Sequence, residues 1–295
     1  MRRLLHLSDP HFGTERPRVV EALVATVASI GFDVAVISGD LTQRALPGQF
    51  RRAARFVARL QALAPGAPVL INPGNHDVPL FNPLRRVSDP FGPFCEAFGL
   101  APESSYRDEA LHLQVINTTS RWRHKHGLVR PDQVTRTVRA LRDSTASQLR
   151  VLVTHQPLAA SPGQDSADLL RGRGPAVQAW RDAGVDLVLG GHIHLPYVVN
   201  ACAAGGRPLW VVQAGTMVSH RIRHEAGNSF NLIRYEPDPA GRRAPACRVE
   251  RWDHVDDLGA FRRVMTTPLA LARAPAQAAA DDDASRLPAE SPKKQ

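Results

Sequence analysis

The 295-residue chain has no run of 18 or more apolar residues, which excludes a helix that spans a membrane. Thiols are scarce: Cys95, Cys202 and Cys247 are the three cysteines, with no CxxC spacing and an odd count. A thiolate metal site and a disulfide framework are therefore not expected, and the cysteines read as reduced and structural. No long Lys/Arg block occurs, so there is no arm of the kind that grips nucleic acid. No internal repeat is visible. The start, "MRRLLHLSDPHFG", has two arginines, but Asp9 and His11 interrupt it too early for a signal-peptide core, and no small-residue cleavage site follows. A retained N-terminus and a cytoplasmic location are the expectation.

What is present points to a globular α/β protein. Hydrophobic residues make up 43% of the chain, well above a disordered composition. The length fits one α/β domain with extra elements. Basic residues outnumber acidic ones, 37 to 28, for a formal charge of +9. Most of the excess is Arg scattered along the chain. It reads as a solvated surface, or as a field that draws an anionic substrate.

Short apolar runs alternate with helix-like stretches. Residues 4–9, 33–40 and 68–77 read as strands. Residues 17–30 and 48–63 read as helices, the second with Phe50, Phe56, Val57 and Leu60 facing inward. This β-α-β-α-β order predicts parallel strands with helices packed on the sheet. Further strands are expected at 111–119, 149–157 and 185–194, with helical patterns at 131–143 and 175–183. Phe91, Phe94 and Phe98 have helical spacing and read as a core-facing stripe. After 195, short strands joined by Gly/Pro turns suggest a second, more antiparallel sheet. One domain is expected over 1–266. Residues 267–295 lack aromatics and carry several prolines, so a disordered tail is expected there.

The strand ends carry the chemistry. The first delivers Asp9 and His11 in "SDPH", the second Gly39 and Asp40, the third "GNHD" at 74–77. The strand at 149–157 delivers His155, and that at 185–194 delivers "GGHIH" with His192 and His194. Parallel strands place their carboxyl ends on one edge, where α/β proteins hold ligands. These stretches hold five of the 12 histidines, so the polar residues converge although they are far apart in sequence. Imidazole and carboxylate suit Zn, Mn and Fe(II). Asp-x-His and His-x-His put two side chains on one side of an extended chain. Two metals ~3.5–4 Å apart polarise a phosphoryl group and hold a hydroxide for in-line attack.

This set, over residues 4 to about 195, closely resembles the calcineurin-like metallophosphoesterase family: Asp-x-His, Gly-Asp, Gly-Asn-His-Asp, His, Gly-His-x-His. The resemblance implies a four-layer α/β/β/α sandwich of two mixed sheets flanked by helices. It implies two divalent metal ions per chain (Mn, Fe or Zn). Asp9, His11, Asp40 and His194 would hold the first, and a bridging Asp40 with Asn75, His155 and His192 the second. His76 would stand over the substrate as the catalytic acid, and Asp77 would shape the turn. Two departures matter. Gln43 stands where the protein phosphatase branch has an Asp that orients the catalytic histidine, while Arg44 remains as a phosphate contact. His76 stands where lipid A precursor pyrophosphatases carry Arg. The motif string looks most like the bacterial class III cyclic nucleotide phosphodiesterases.

Outside the motifs, "NTTSRWRHKHG" (117–127) reads either as a solvated basic loop or as a substrate-side loop. Asn117, Arg121 and His124 are its candidate substrate contacts, with Trp122 stacking on a base. The expected activity is metal-dependent hydrolysis of a small phosphodiester, a cyclic nucleotide first. The alternatives are a phosphomonoesterase, a pyrophosphatase on a nucleotide or lipid diphosphate, or a DNA nuclease subunit. The partner is a small phosphate ester rather than nucleic acid or membrane, and homodimerisation stays open.

Overall fold

The computed structural model describes residues 1–123, 125–161, 167–202, 205–223, 226–238 and 245–272. Chain order is β1 (Arg2–Leu7), α1 (Pro17–Ile30), β2 (Val34–Ile37), α2 (Pro47–Leu63), β3 (Val69–Ile71), α3 (Pro83–Ser88), α4 (Gly92–Phe98), β4 (Ser104–Arg107) and β5 (Leu111–Val115). It continues with α5 (Pro131–Arg142), β6 (Leu149–Val153), α6 (Arg173–Asp182), β7 (Leu187–Gly190), β8 (Tyr197–Asn200), β9 (Trp210–Gln213), β10 (Ser229–Glu236), β11 (Ala246–Val255) and β12 (Ala260–Leu269). Proline occupies the first turn of α1, α2 and α5, where its missing N–H costs nothing.

Two six-stranded mixed sheets form, ordered β12-β11-β10-β1-β2-β3 and β4-β5-β6-β7-β9-β8. In the first, β1, β2 and β3 are parallel and β10 to β12 join antiparallel. In the second, β5, β6, β7 and β9 are parallel, with β4 and β8 as antiparallel edges. Period-two alternation sends each sheet's side chains both ways. Leu5, Leu7, Ala35 and Ile37 pack with Leu23, Phe56 and Leu60 of α1 and α2. Leu4, Val34 and Val36 meet Leu113, Val151, Val153 and Leu189 of the other sheet. Leu152 and Val188 face Trp180 of α6 and Leu141 of α5. The layers are therefore helix, sheet, sheet, helix, and both sheets are buried on two faces, as their apolar runs require.

The strands after 195 do not form a sheet of their own. β9 extends the parallel part of the second sheet beside β7, whereas β10 to β12 complete the first. Their antiparallel turns were legible, but the mate of each strand is set by packing across the molecule. The tail boundary at 267 is also corrected. Residues 267–269 lie in β12, where Leu269 is buried and sits opposite Cys247. β12 is an edge strand, which explains how it tolerates Pro268. Trp210 Nε1 then donates to the Ala270 carbonyl at 2.9 Å. The rest of the expected tail, from 273, lies outside the described residues. The phenylalanine stripe is seen for two of its three residues: Phe94 is fully buried, and Phe98 packs on Phe94 and Phe50 with ring centroids 5.1 and 6.3 Å apart, whereas Phe91 is the half-buried N-cap of α4 and does not join the core cluster.

Candidate metal centre

The candidate ligands sit two to four residues beyond the carboxyl ends of β1, β2, β3, β6 and β7. Both sheets thus point their parallel strands at one place. The chain turns sharply there. Among the described residues, six non-glycine residues have positive φ, and five are candidate ligands: Asp9, His11, Asp40, His192 and His194. Each such residue costs about 1–2 kcal/mol and persists only where its surroundings over-determine it. The bracing is visible. The Asp9 and His11 amides donate to the Gly39 and Asp40 carbonyls at 3.1 and 3.0 Å. Asp9 Oδ2 accepts from the His192 amide at 2.9 Å, and the Asp9 carbonyl accepts from Thr216 Oγ1 at 2.6 Å. Close approach explains two of the glycines. A methyl on Gly74 would drive into Asp40, and one on Gly191 into Ser8 and Asp9.

Three donor groups cluster within 4.8 Å: Asp9 with His11 and His194, His11 with Asp40 and His76, and Asp40 with His155 and His192. His11 Nε2 and His194 Nε2 face each other at 2.9 Å, and His194 Nε2 is 3.4 Å from Asp9 Oδ1. Asp40 reaches both sides, with Oδ2 3.6 Å from His11 Nε2 and Oδ1 3.3 Å from His155 Nε2. Asn75 Oδ1 lies 3.1 Å from His155 Nε2. All seven candidates thus join one constellation.

Its electrostatics suit a cation. Burial pushes the His11 and His192 imidazoles down to about 4, so both are neutral. Burial opposes ionisation of Asp40 too, but the charges of His155 and His76 and a hydrogen bond from His155 outweigh it and hold the carboxyl far below its usual range. Asp9 behaves alike, through His11 and His194. Burial lowers His155, yet Asp40 wins and raises it to about 9. A cation held at these atoms would replace that proton. Asp9 Oδ1 and His192 Nε2 are buried without a hydrogen bond. A buried polar atom left so costs about 1–3 kcal/mol, which a metal bond offsets. An oxygen and imidazole donor set with no thiolate fits Mn, Fe or Zn.

Around this core, Asp77 accepts from the Leu41, Thr42 and Gly74 amides at 3.0, 2.8 and 2.8 Å. It ties the Asp40 turn to the Asn75 turn. Burial, then the Asp40 charge, raises it to about 7. His76 Nδ1 donates to the Gln43 main-chain carbonyl at 2.8 Å, so the ring is oriented by backbone at the position where an Asp is missing. Its Nε2 accepts from Arg221 at 3.0 Å, and the same Arg221 nitrogen donates to Gln43 Oε1 at 3.2 Å. The Arg221 carbonyl accepts from His194 Nδ1 at 2.5 Å. Sequence reasoning missed Arg221. "SHRIRH" carries no motif, and only the loop after β9 brings it to His76.

The remaining candidates divide. Arg44 lines a cavity of about 150 Å³ over Asn75 and His76, with its guanidinium 5.4 Å from the Phe81 ring centroid. Asn117 and Arg121 are not brought into the donor groups. Asn117 is buried, accepting from the Thr119 amide and Gln133 Nε2. Arg121 donates to the Val87 carbonyl and stacks 5.3 Å from the centroid of Trp122, which is largely exposed. His124 lies outside the described residues. The 117–127 loop still matters, since Thr119 Oγ1 donates to the Pro73 carbonyl and links the two sheets' ends.

Fold and site together define a four-layer α/β protein with a buried Asp/His/Asn centre at the carboxyl ends of its parallel strands. The family model for calcineurin-like phosphoesterases matches residues 2–196. The chain belongs to that family. Among solved structures, it is similar to a purple acid phosphatase from yellow lupin (Lupinus luteus) seeds, with TM-score 0.61 and 14% identity over 90% of this chain and 53% of that one. The chain thus spans about half of the lupin enzyme. It is similar to a dimetal phosphatase from Danio rerio, with TM-score 0.61 and 12% identity over 92% and 99%. It is also similar to GAP50, the anchor in the inner membrane complex of Plasmodium, with TM-score 0.59 and 11% identity over 92% and 89%. At these identities the likeness is one of fold. No curated protein matches the chain.

Proposed function

We propose that the chain is a two-metal phosphodiesterase acting on small phosphodiesters, cyclic nucleotides first among them. One observation carries the reading: Asp40 stands between two donor sets and reaches a histidine of each. Asp9, His11, Asp40 and His194 would hold one divalent cation, and Asp40, Asn75, His155 and His192 the other. Manganese, iron and zinc all suit these donors. When bound, two such cations polarise a phosphoryl group and activate water for in-line displacement.

The chain's own residues do the rest. His76, fixed through Nδ1, turns Nε2 to the reacting group; with Arg221 moved onto the phosphate and a proton from solvent on Nε2, the ring would stabilise the phosphoryl charge and pass that proton to the leaving oxygen. Arg221 brings a permanent positive charge to that atom and serves as a phosphate contact. Arg44 offers a second cation at the rim. Asp77 holds the two turns in register. The motif string supports a cyclic nucleotide as substrate. The substrate is soluble and the setting cytoplasmic in this reading; no described helix is long and apolar enough to cross a membrane.

The test is metal content with a substrate panel. Elemental analysis of Mn(II)-reconstituted protein should approach two equivalents, and Asp40→Ala should lose both. A firm value of one or zero removes the two-metal reading. The panel is bis-p-nitrophenyl phosphate, p-nitrophenyl phosphate, cyclic AMP, UDP-sugars and single-stranded DNA. Diester cleavage without cyclic AMP turnover rejects the cyclic nucleotide, and a preference for the monoester makes the enzyme a phosphatase.

A further inference from the structure

A cavity of about 530 Å³ opens beside the metal centre, a volume typical of small-molecule sites. It shares Arg44 and Phe81 with the smaller cavity over Asn75 and His76, so the two adjoin at these side chains. α2 forms one wall, and the 79–97 segment with α3 and α4 forms the other. The lining is mostly apolar, with Leu46, Phe50 and Phe81 joined by the prolines at 47, 79 and 93. Its charged residues are Arg44, Arg51, Arg85 and Glu96, and Glu96 is ion-paired with Arg85. Positive charge therefore prevails at the rim. Phe81 is 66% exposed on the shared wall, with the Arg44 guanidinium over its ring. Exposed apolar surface gathered around one concavity marks a binding site.

We propose that this groove is a subsite for a planar aromatic group in the substrate's non-leaving ester substituent, such as an aryl ring or a nucleobase borne on its ribose. The proposal rests on the phosphoesterase reading above and specifies what the substrate must carry. With the phosphoryl group over His76, the larger cavity past Arg44 and Phe81 offers the non-leaving substituent an apolar site. An arginine laid on a phenylalanine makes a flat π surface that attracts a ring and gives an alkyl chain nothing extra. Prolines at three points fix the walls, so the groove is pre-formed and a rigid ring loses little freedom on entering. The arginines at the rim match the anionic phosphate next to the ring.

Three diesters with the same p-nitrophenolate leaving group test this: methyl, cyclohexyl and phenyl p-nitrophenyl phosphate, on the Mn(II)-reconstituted full chain. The phenyl diester should exceed the methyl diester in kcat/KM by about 10–100-fold, with cyclohexyl between them. Phe81→Ala should bring the phenyl/methyl ratio towards one. Leu84→Ser, a neighbour outside the lining, should leave that ratio intact. Because both rates come from one preparation, a general loss of activity does not move the ratio. Equal rates for phenyl and methyl overturn the groove, and cyclohexyl matching phenyl overturns the aromatic assignment. If none of the three is cleaved, the phosphodiesterase reading fails, and calorimetric titration with phenylphosphonate and methylphosphonate decides the groove. Equal affinities overturn it, and a phenyl preference abolished by Phe81→Ala upholds it.

Discussion

Gly74→Ala isolates how the Asp40 carboxylate is held. Gly74 has φ −102° and ψ −177°, extended backbone open to any residue, so the change adds no backbone strain. Its effect is steric alone. The added methyl would lie 2.8 Å from Asp40 Cγ and meet the Asp40 carboxylate and amide as well. Ordinary carbon contacts are about 3.5–4.0 Å, so Asp40 must retreat by roughly 1 Å. It has nowhere to go. It is 1% exposed and in a left-handed conformation, and its Oδ1 accepts from the His76 amide at 2.8 Å. Overpacking of this kind costs about 1–3 kcal/mol. A displacement near 1 Å at the reacting centre costs about 10²-fold in rate. Metal content should fall with activity, since Asp40 faces both donor sets. Gly66→Ala is the contrast: its φ is +85° with nothing within 4 Å, so it should cost stability alone. Elemental analysis, thermal unfolding and turnover of bis-p-nitrophenyl phosphate on both variants read the difference. A Gly74→Ala protein with native metal content and rate would refute the claim that this contact positions Asp40.

Three further outcomes are expected. His76→Ala should keep its metals and slow an alkoxide-leaving diester by roughly 10²–10⁴-fold, with a smaller loss on a p-nitrophenyl ester; equal losses would reject the acid role. His6 is buried, and burial depresses its imidazole to about 3, so the unfolded chain takes the proton first and stability falls as pH drops from 6.5 towards 3. Its share of that loss is about 2 kcal/mol by pH 5, and urea unfolding of His6→Gln should show a correspondingly flatter pH dependence; parallel curves would disprove it. A chain ending at residue 272 should keep its activity and Tm, whereas one ending at 266 loses buried Leu269 and about 1.5–3 kcal/mol; equal Tm values would show that β12 ends without consequence.

Much of the first 195 residues was legible because each local signal agreed with the fold. α1 follows the proline and apolar spacing of residues 17–30 and needs no tertiary information. The donor residues were legible because each sits just past an apolar strand, and strand ends in parallel sheets share an edge. β4 and β12 were not. Each has a strand at an edge of its sheet, so few of its side chains are buried and the apolar alternation that signals a strand is weak. Arg221 was illegible for another reason. Its place depends on the loop after β9 crossing to the β3 turn, a contact between elements with no local pattern.

Position 43 shows how a motif can mislead. Gln43 stands where the protein phosphatase branch has an orienting Asp, and the sequence does not name what replaces it. Yet the group that holds Nδ1 is a main-chain carbonyl, which every residue supplies. What the side chain decides is the second contact: Gln43 Oε1 holds Arg221 against His76 Nε2. A carboxylate at 43 would pair with the guanidinium as an ion and lock it, whereas a neutral amide holds it by one hydrogen bond. Arg221 is therefore free to exchange Gln43 and His76 for a phosphate oxygen. In the reading proposed above, that exchange would uncover Nε2 for the leaving group.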